Sequence, residues 1–458
     1  MSNTELHPDN YPVKSQKSSA LTGDIRAPGD KSISHRALIF GAMATGTTHI
    51  SGLLEGTDIM STAAAVSAFG ATVTKKEDGG WSVTGTGAKG WRSPKEVVDC
   101  GNAGTGVRLI MGAAAGYKLT AEFTGDASLS ARPMKRVLAP LHQMGVNTQA
   151  TSGDKLPITL QSTGALKAID YTPPQASAQV KSCILLAGLN TKGKTIIREP
   201  HLTRDHTENM FEAFGVSLNR KPVGRGQIVE LEGPAALKAT DIMVPGDPSS
   251  AAFPIVAALI TPGSDILVRN VMMNPTRTGL FETLIEMGAY LRTDNFRKSG
   301  GEIIADINVR HSVLSGITVP PERAASMIDE YPILAVAAAF AKGETTMDGI
   351  GELRVKESDR IAATAALLSA NGVKLSERED GLTVSGTANG GGLVNGGSGK
   401  CVETCGDDMV LDSVKGKCVA CGEAGQPFCA DGAPSSAVLY ASCSFINIVQ
   451  PALEIASA

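Results

Sequence analysis

Cysteine is nearly absent from this chain before Cys401, where only Cys100 and Cys183 occur. Two isolated thiols exclude a disulfide-stapled secreted scaffold. They fit a reducing compartment, where cysteine packs as a small apolar side chain. Long apolar runs are missing too, and a stretch such as ILAVAAAFA from Ile333 is too short to cross a bilayer. The first residues, MSNTELHPDNYPVKSQKSS, have no apolar core and carry Glu5 and Asp9. That argues against a secretory signal or a transit peptide, so a frayed tail on a cytoplasmic protein is expected. Charge of one sign is also lacking. The net charge is -4 with lysine and arginine dispersed, so neither nucleic acid nor membrane is an expected partner.

A recurring pattern is present instead. Its copies are RAPGDKSISHRALIFGAMATGTTHI from Arg26, DCGNAGTGVRLIMGAAAGYKLTAEF from Asp99, PPQASAQVKSCILLAGLNTKGKTII from Pro173, VPGDPSSAAFPIVAALITPGSDILV from Val244 and RAASMIDEYPILAVAAAFAKGETTM from Arg323. Each has a polar lead-in, an Ala/Leu-rich helix, a glycine and a β-branched strand. A second pattern follows each copy. It is an amphipathic helix closed by Gly70, Gly145, Gly215, Gly288 or Gly372, then a strand, a turn such as Asp78-Gly79, and another strand. Glycine there suits a left-handed helix stop, and Asp-Gly suits a hairpin. The whole is an α/β chain built from βαβαββ repeats. Its 42% hydrophobic content supports sizeable cores, and its length suggests two to four domains.

The polar lead-ins sit at helix N-termini, where free N–H groups and the helix dipole favour anions. They carry Lys31, Ser32 and Arg36, then Asn102, Gly104 and Thr105, then Ser177 and Gln179. Arg132, Arg204, Lys356 and Arg360 stand at starts of the second helices. So many cations predict a substrate with several negative charges. Asp329, Glu330 and Glu357 lie among them. They are candidate bases, and the neighbouring cations are expected to lower their pKa values. Each residue has a plainer alternative as a helix cap or a solvated surface charge. Cys183, Met134 and Met144 are expected in the core.

Together PGDKSISHRA, GNAGTG, GDASLSARPM, SAQVKS, TRDHTE, DEYPILAVAAAFA and LRVKESDR resemble the 5-enolpyruvylshikimate-3-phosphate synthase family, in its class II bacterial branch. The resemblance covers roughly residues 20–395 in order. It implies a two-domain inside-out α/β barrel of the enolpyruvyl transferase type, with helices inside and sheets outside. Residues 30–246 would form a central domain. Residues 1–29 and 247–458 would form a terminal one, with crossings near Asp30 and Gly246. The implied reaction joins phosphoenolpyruvate to the 5-hydroxyl of shikimate 3-phosphate, without metal or organic cofactor, in a monomer. By matching motifs, Lys31, Ser32, Arg36, Ser177, Ala178, Gln179, Asp329 and Lys356 would hold shikimate 3-phosphate, with Arg204 as a further candidate. Lys31, Gly104, Arg132, Gln179 and Arg360 would hold phosphoenolpyruvate. Asp329 would be the base, and Glu357 or Lys31 the acid. Some tolerant relatives carry alanine where this chain has Gly104, so tolerance of glyphosate is not implied.

The resemblance fails from about residue 396. There the family has a sixth copy with an Asp-His-Arg motif that helps bind phosphoenolpyruvate. This chain instead carries Cys401, Cys405, Cys418, Cys421, Cys429 and Cys443. The tail reads as a divergent or frameshifted end, as an alternative sixth unit, or as a metal or redox segment around Cys418-x-x-Cys421. On the last reading the chain could be a catalytically weak paralogue or a binding protein.

Overall fold

The glycines expected to stop helices do so with left-handed backbone. Their φ angles are 114° at Gly70, 102° at Gly145, 82° at Gly215, 95° at Gly288 and 77° at Gly372. A side chain with a Cβ rarely adopts that conformation. The structure is a computed structural model that describes residues 19–356 and 358–387 and two short strands, Met409–Asp412 and Lys417–Ala420.

Among the described residues β1 (Thr22–Arg26) comes first, and one plan then repeats. The first unit is α1 (Lys31–Met43), β2 (Thr47–Ser51), α2 (Thr57–Ala68), β3 (Thr72–Lys75) and β4 (Trp81–Thr84). The second is β5 (Val98–Asp99), α3 (Gly104–Ala115), β6 (Lys118–Thr124), α4 (Ala127–Ala131), α5 (Lys135–Met144), β7 (Asn147–Ser152) and β8 (Lys155–Thr163). The third is β9 (Asp170–Tyr171), α6 (Ala178–Gly188), β10 (Gly193–Glu199), α7 (His206–Ala213), β11 (Asn219–Val223) and β12 (Gly226–Gly233). The fourth is β13 (Ile242–Met243), α8 (Pro248–Ile260), β14 (Asp265–Met272), α9 (Gly279–Glu286), β15 (Tyr290–Ser299) and β16 (Glu302–Arg310). The fifth is β17 (Thr318–Val319), α10 (Tyr331–Ala339), β18 (Gly343–Asp348), α11 (Arg360–Ala370), β19 (Lys374–Arg378) and β20 (Gly381–Gly386).

Every unit makes a four-stranded sheet of the same design. The orders are β13-β2-β4-β3, β5-β6-β8-β7, β9-β10-β12-β11, β1-β14-β16-β15 and β17-β18-β20-β19. The first strand in each order runs parallel to its neighbour. Two of these strands are exchanged: β1 completes the fourth unit's sheet, and β13 completes the first unit's. The two chain passages this requires lie side by side. Asp30 N donates to Pro245 O at 2.7 Å, and Asp247 N donates to Pro28 O at 2.9 Å.

The first helix of each unit is apolar nearly all round because it is enclosed nearly all round. In α1 every residue from Ile33 to Met43 is buried. The sheets cover the helices from one side only. Leu119, Ala121 and Phe123 of β6 point inward, while Lys118, Thr120 and Glu122 face out. One hydrophobic core gathers residues from Ile33 to Val244, together with Met272. A second gathers residues from Ala251 to Val384. Cys183, Met134 and Met144 lie fully buried in the first, as expected. Part of the seam between the cores is polar. There Asn274 Nδ2 donates to Asp205 Oδ1 at 2.7 Å, and His206 Nδ1 meets Glu302 Oε1 at 2.8 Å.

Beyond Thr387 the described residues form one hairpin, β21 (Met409–Asp412) with β22 (Lys417–Ala420), paired from Met409–Ala420 to Asp412–Lys417. Cys418 lies on β22. Cys401, Cys405, Cys421, Cys429 and Cys443 lie outside the described residues, as does Glu357.

Candidate active site

Gly112 sets the geometry of one half of the site. A Cβ there would fall 2.3 Å from the carbonyl oxygen of Cys183, so α3 and α6 can touch only because this residue is glycine. Their N-terminal ends therefore meet. Gln179 Nε2 donates to Thr105 Oγ1 at 3.0 Å. Gln179 Oε1 accepts from Arg108 at 3.1 Å and from Arg136 at 3.1 Å. Arg108 also donates to Gly104 O at 2.9 Å. Arg132 reaches Asn102 Oδ1 at 2.7 Å and Ser128 Oγ at 3.2 Å. A Cβ on Gly104 would lie 3.0 Å from Arg132 and 3.1 Å from Arg108. Three guanidiniums thus crowd the start of α3. Burial, then repulsion from Arg136 and Arg132, pulls the Arg108 pKa down to about 9. Such a cluster favours an incoming anion.

The other half lies on the seam. Arg204, just ahead of α7, donates to Asp329 Oδ2 at 2.6 Å. Arg360, the first residue of α11, reaches Asp329 Oδ1 at 3.1 Å. Burial pushes the Asp329 carboxyl up, but Arg204, backed by Arg277 and Arg360, outweighs it. The net pKa lies well below the usual carboxylate range. Glu330 departs from expectation. It is almost fully buried, and desolvation overcomes Arg277 beside it, so its pKa is raised rather than lowered.

The remaining candidates divide. Lys31, the first residue of α1, is exposed and pairs with Asp58. Lys356 pairs with Glu352. Ser32 is half-buried next to Lys31. Ser177 is the N-cap of α6, accepting from Val180 N at 3.4 Å, and Ala178 follows it as the first helical residue. Arg36 lies one helical turn after Ser32 on α1. It is buried, donating to Ser32 O at 2.9 Å, Thr207 Oγ1 at 2.7 Å and Ser182 Oγ at 3.0 Å. Burial, against attraction from Asp30, draws its pKa down to about 10. The two halves approach through Glu352, which attracts Arg136 as well as holding Lys356.

Sequence reading missed Arg108, Arg136 and Arg277. Arg108 is a lone cation in the apolar helix α3, which was a signal. Arg277 stands as far ahead of Gly288 as Arg204 stands ahead of Gly215, so the repeat marked it as well.

A family model described as EPSP synthase (3-phosphoshikimate 1-carboxyvinyltransferase) matches residues 15–402. The chain belongs to the EPSP synthase family. The 3-phosphoshikimate 1-carboxyvinyltransferase of Phenylobacterium zucineum is 55% identical over 401 residues, spanning 88% of this chain and 87% of that protein. That of Parvibaculum lavamentivorans is 56% identical over 394 residues, 84% of this chain and 87% of the relative. Among solved structures, EPSP synthase from Acinetobacter baumannii superposes with a TM-score of 0.75 at 44% identity, covering 81% of this chain and 83% of that one. The enolpyruvyl transferase NikO from Streptomyces tendae, at 19% identity and a TM-score of 0.59, shares the fold over 80% of this chain and 83% of its own. The inside-out α/β architecture is thus that of the enolpyruvyl transferases. The match to the EPSP synthase family ends at residue 402, next to the place where the motifs fail.

Proposed function

We propose that the two cationic clusters form one site in which the substrates' anions replace the internal partners now holding each cluster together. The chain is an EPSP synthase, a 3-phosphoshikimate 1-carboxyvinyltransferase. It transfers the enolpyruvyl group of phosphoenolpyruvate to the 5-hydroxyl of shikimate 3-phosphate and releases phosphate. The observation that carries the residue assignment is Asp329 lying between Arg204 and Arg360 on the seam.

Phosphoenolpyruvate would lie against Gly104, Arg132, Gln179, Arg360 and Lys31. Shikimate 3-phosphate would take Lys31, Ser32, Ser177, the Ala178 backbone, Gln179, Lys356 and the phosphate-binding Arg204. Arg36, which also donates to the Ser32 carbonyl, would join them in holding shikimate 3-phosphate. Asp329 accepts the 5-hydroxyl proton as the oxygen attacks C2 of the enolpyruvyl group. An acid, Lys31 or Glu357, gives a proton to the methylene carbon. The tetrahedral adduct then expels phosphate, and the methylene reforms as a proton leaves the methyl group. Fixed guanidiniums stabilise the moving charge, and alignment of both substrates lowers the barrier further.

The two cores would correspond to a central domain of residues 30–246 and a terminal domain of residues 1–29 and 247–458. Closure would occur across the seam between them, since interfaces between domains that are in part polar commonly permit relative motion. A cytoplasmic monomer agrees with this reading. The assay is phosphate release from phosphoenolpyruvate, with and without shikimate 3-phosphate. Release that ignores shikimate 3-phosphate overturns the assignment. The tail beyond residue 402 has no Asp-His-Arg motif, so a second reading is a slower enzyme. A chimera carrying a family-typical sixth unit would then release phosphate faster than this chain.

A further inference from the structure

Arg277 stands behind the Asp329 cluster, where its charge helps to hold that carboxyl ionised. It is 3% exposed, just ahead of α9, at the point where the chain passes twice between the cores. One guanidinium nitrogen donates to Asp30 Oδ2 at 2.9 Å, and the other to Asp247 Oδ1 at 2.9 Å. The second also donates to Ser249 Oγ at 2.8 Å. The Ser249 hydroxyl in turn donates to Glu330 Oε1.

These partners are helix starts. Asp30 caps α1, accepting from Ile33 N at 2.8 Å, and the next residue is Lys31. Asp247 caps α8 through Ser249 N at 2.8 Å and lies 3.5 Å from the Lys31 N–H. Glu330 is the N-cap residue of α10, and the residue before it is Asp329. A single planar fork therefore ties the backbone carrying Lys31 to the backbone carrying Asp329. A lysine could not span both carboxylates, because its ammonium is a point donor on a flexible stem.

We infer that Arg277 is a positioning residue for the transfer reaction, setting Lys31 and Asp329 at their working separation through Asp30, Asp247 and the Ser249–Glu330 relay. The inference rests on the reading of Asp329 as base. Burial works against the Arg277 charge, but Asp30, Asp247 and Glu330 outweigh it and keep the guanidinium firmly protonated. The guanidinium thus keeps its charge at any working pH. Proton transfer and carbon–oxygen bond formation both depend on that separation, whereas ground-state binding is spread over many other groups besides Lys31. The effect should fall on kcat far more than on KM.

Two variants separate positioning from plain stability. Ser249→Ala removes only the relay hydroxyl. Arg277→Lys keeps the charge and loses the fork. Both are compared with wild type by thermal unfolding, steady-state kinetics and carbon-13 NMR of labelled aspartate carboxyls, with Asp329 assigned from Asp329→Asn. Ser249→Ala should lower kcat about 10-fold and Arg277→Lys about 10²-fold, the scale of a misplacement near 1 Å. Both KM values should stay within about 3-fold, and the Asp329 resonance should move without substrate. Normal kcat in the folded protein with an unmoved resonance overturns the inference, even if the unfolding midpoint drops. A rise in KM at constant kcat also overturns it. If wild type shows no transfer, the functional reading fails, and the resonance still decides whether Arg277 places Asp329.

Discussion

Arg204 and Asp329 meet at 2.6 Å although their neighbouring helices belong to different hydrophobic cores. The carboxylate thus occupies guanidiniums proposed for the substrates' own anions. Asp329→Asn keeps the shape and removes the base. We expect turnover to fall at least ~10²-fold, with shikimate 3-phosphate binding retained by calorimetry. Near-normal turnover would remove Asp329 from the mechanism.

Gly104→Ala puts a methyl within 3.0 Å of Arg132 and 3.1 Å of Arg108. Guanidinium ends can yield by a few tenths of an ångström, so the protein should fold with unchanged stability. The phosphoenolpyruvate end would narrow. We expect a higher KM for phosphoenolpyruvate, an unchanged KM for shikimate 3-phosphate, and weaker inhibition by glyphosate. Identical inhibition curves for both proteins would refute a steric role.

Lys181 is fully buried between Glu199 at 2.8 Å and Glu208 at 2.7 Å. Lys181→Met leaves two carboxylates without their cation. Breaking a buried ion pair from one side costs about 3–5 kcal/mol. Urea unfolding should show a loss of that order, and a loss below about 1 kcal/mol would mean that the site relaxes by taking up a proton or water.

His35 lies within the SHR stretch, fully buried, with Nδ1 at 2.8 Å from Thr62 Oγ1. Burial, then repulsion from Lys31 and Arg36, draws its pKa down from 6.5 to about 3. Below pH 6.5 the unfolded chain binds a proton that the folded chain refuses, so this residue makes stability fall as pH drops from 6.5 toward 3. The slope for one proton is at most about 1.4 kcal/mol per pH unit. Urea midpoints between pH 7 and pH 5 should fall less steeply for His35→Gln. Parallel curves would show that other groups carry the acid sensitivity.

Much of this was legible in the sequence because it is local. A glycine after an amphipathic run announces its left-handed stop at Gly145 or Gly288. The all-round apolarity of α1 announces its burial. The motif-bearing helix starts announce the anion site. The rest depends on tertiary placement. Nothing near Glu330 tells how completely it is buried, yet that burial reverses the direction of its pKa. The motif marks Arg36 as a candidate ligand, but nothing in it foretells hydrogen bonds to Thr207 and Ser182 in another unit. The pairing of β1 with β14 leaves no mark on either strand, since nothing in TGDIR or DILVRNVM names so distant a partner.

The exchanged strands impose a timetable on synthesis. β13 ends the segment whose first sheet it completes, so residues 30–246 can close all three of their sheets once the ribosome has released them. β1 must wait. Leu21, just before it, bonds to Ser264 across 243 residues of sequence, and Thr22 to Arg26 pair with Asp265 to Arg269. Until β14 emerges, β1 lacks the neighbour it pairs with here and carries an unpaired edge. Long-range pairings of this kind form late and slowly. The nascent chain would therefore assemble from its middle outward, and β1, translated early, would be among the last strands to find its place.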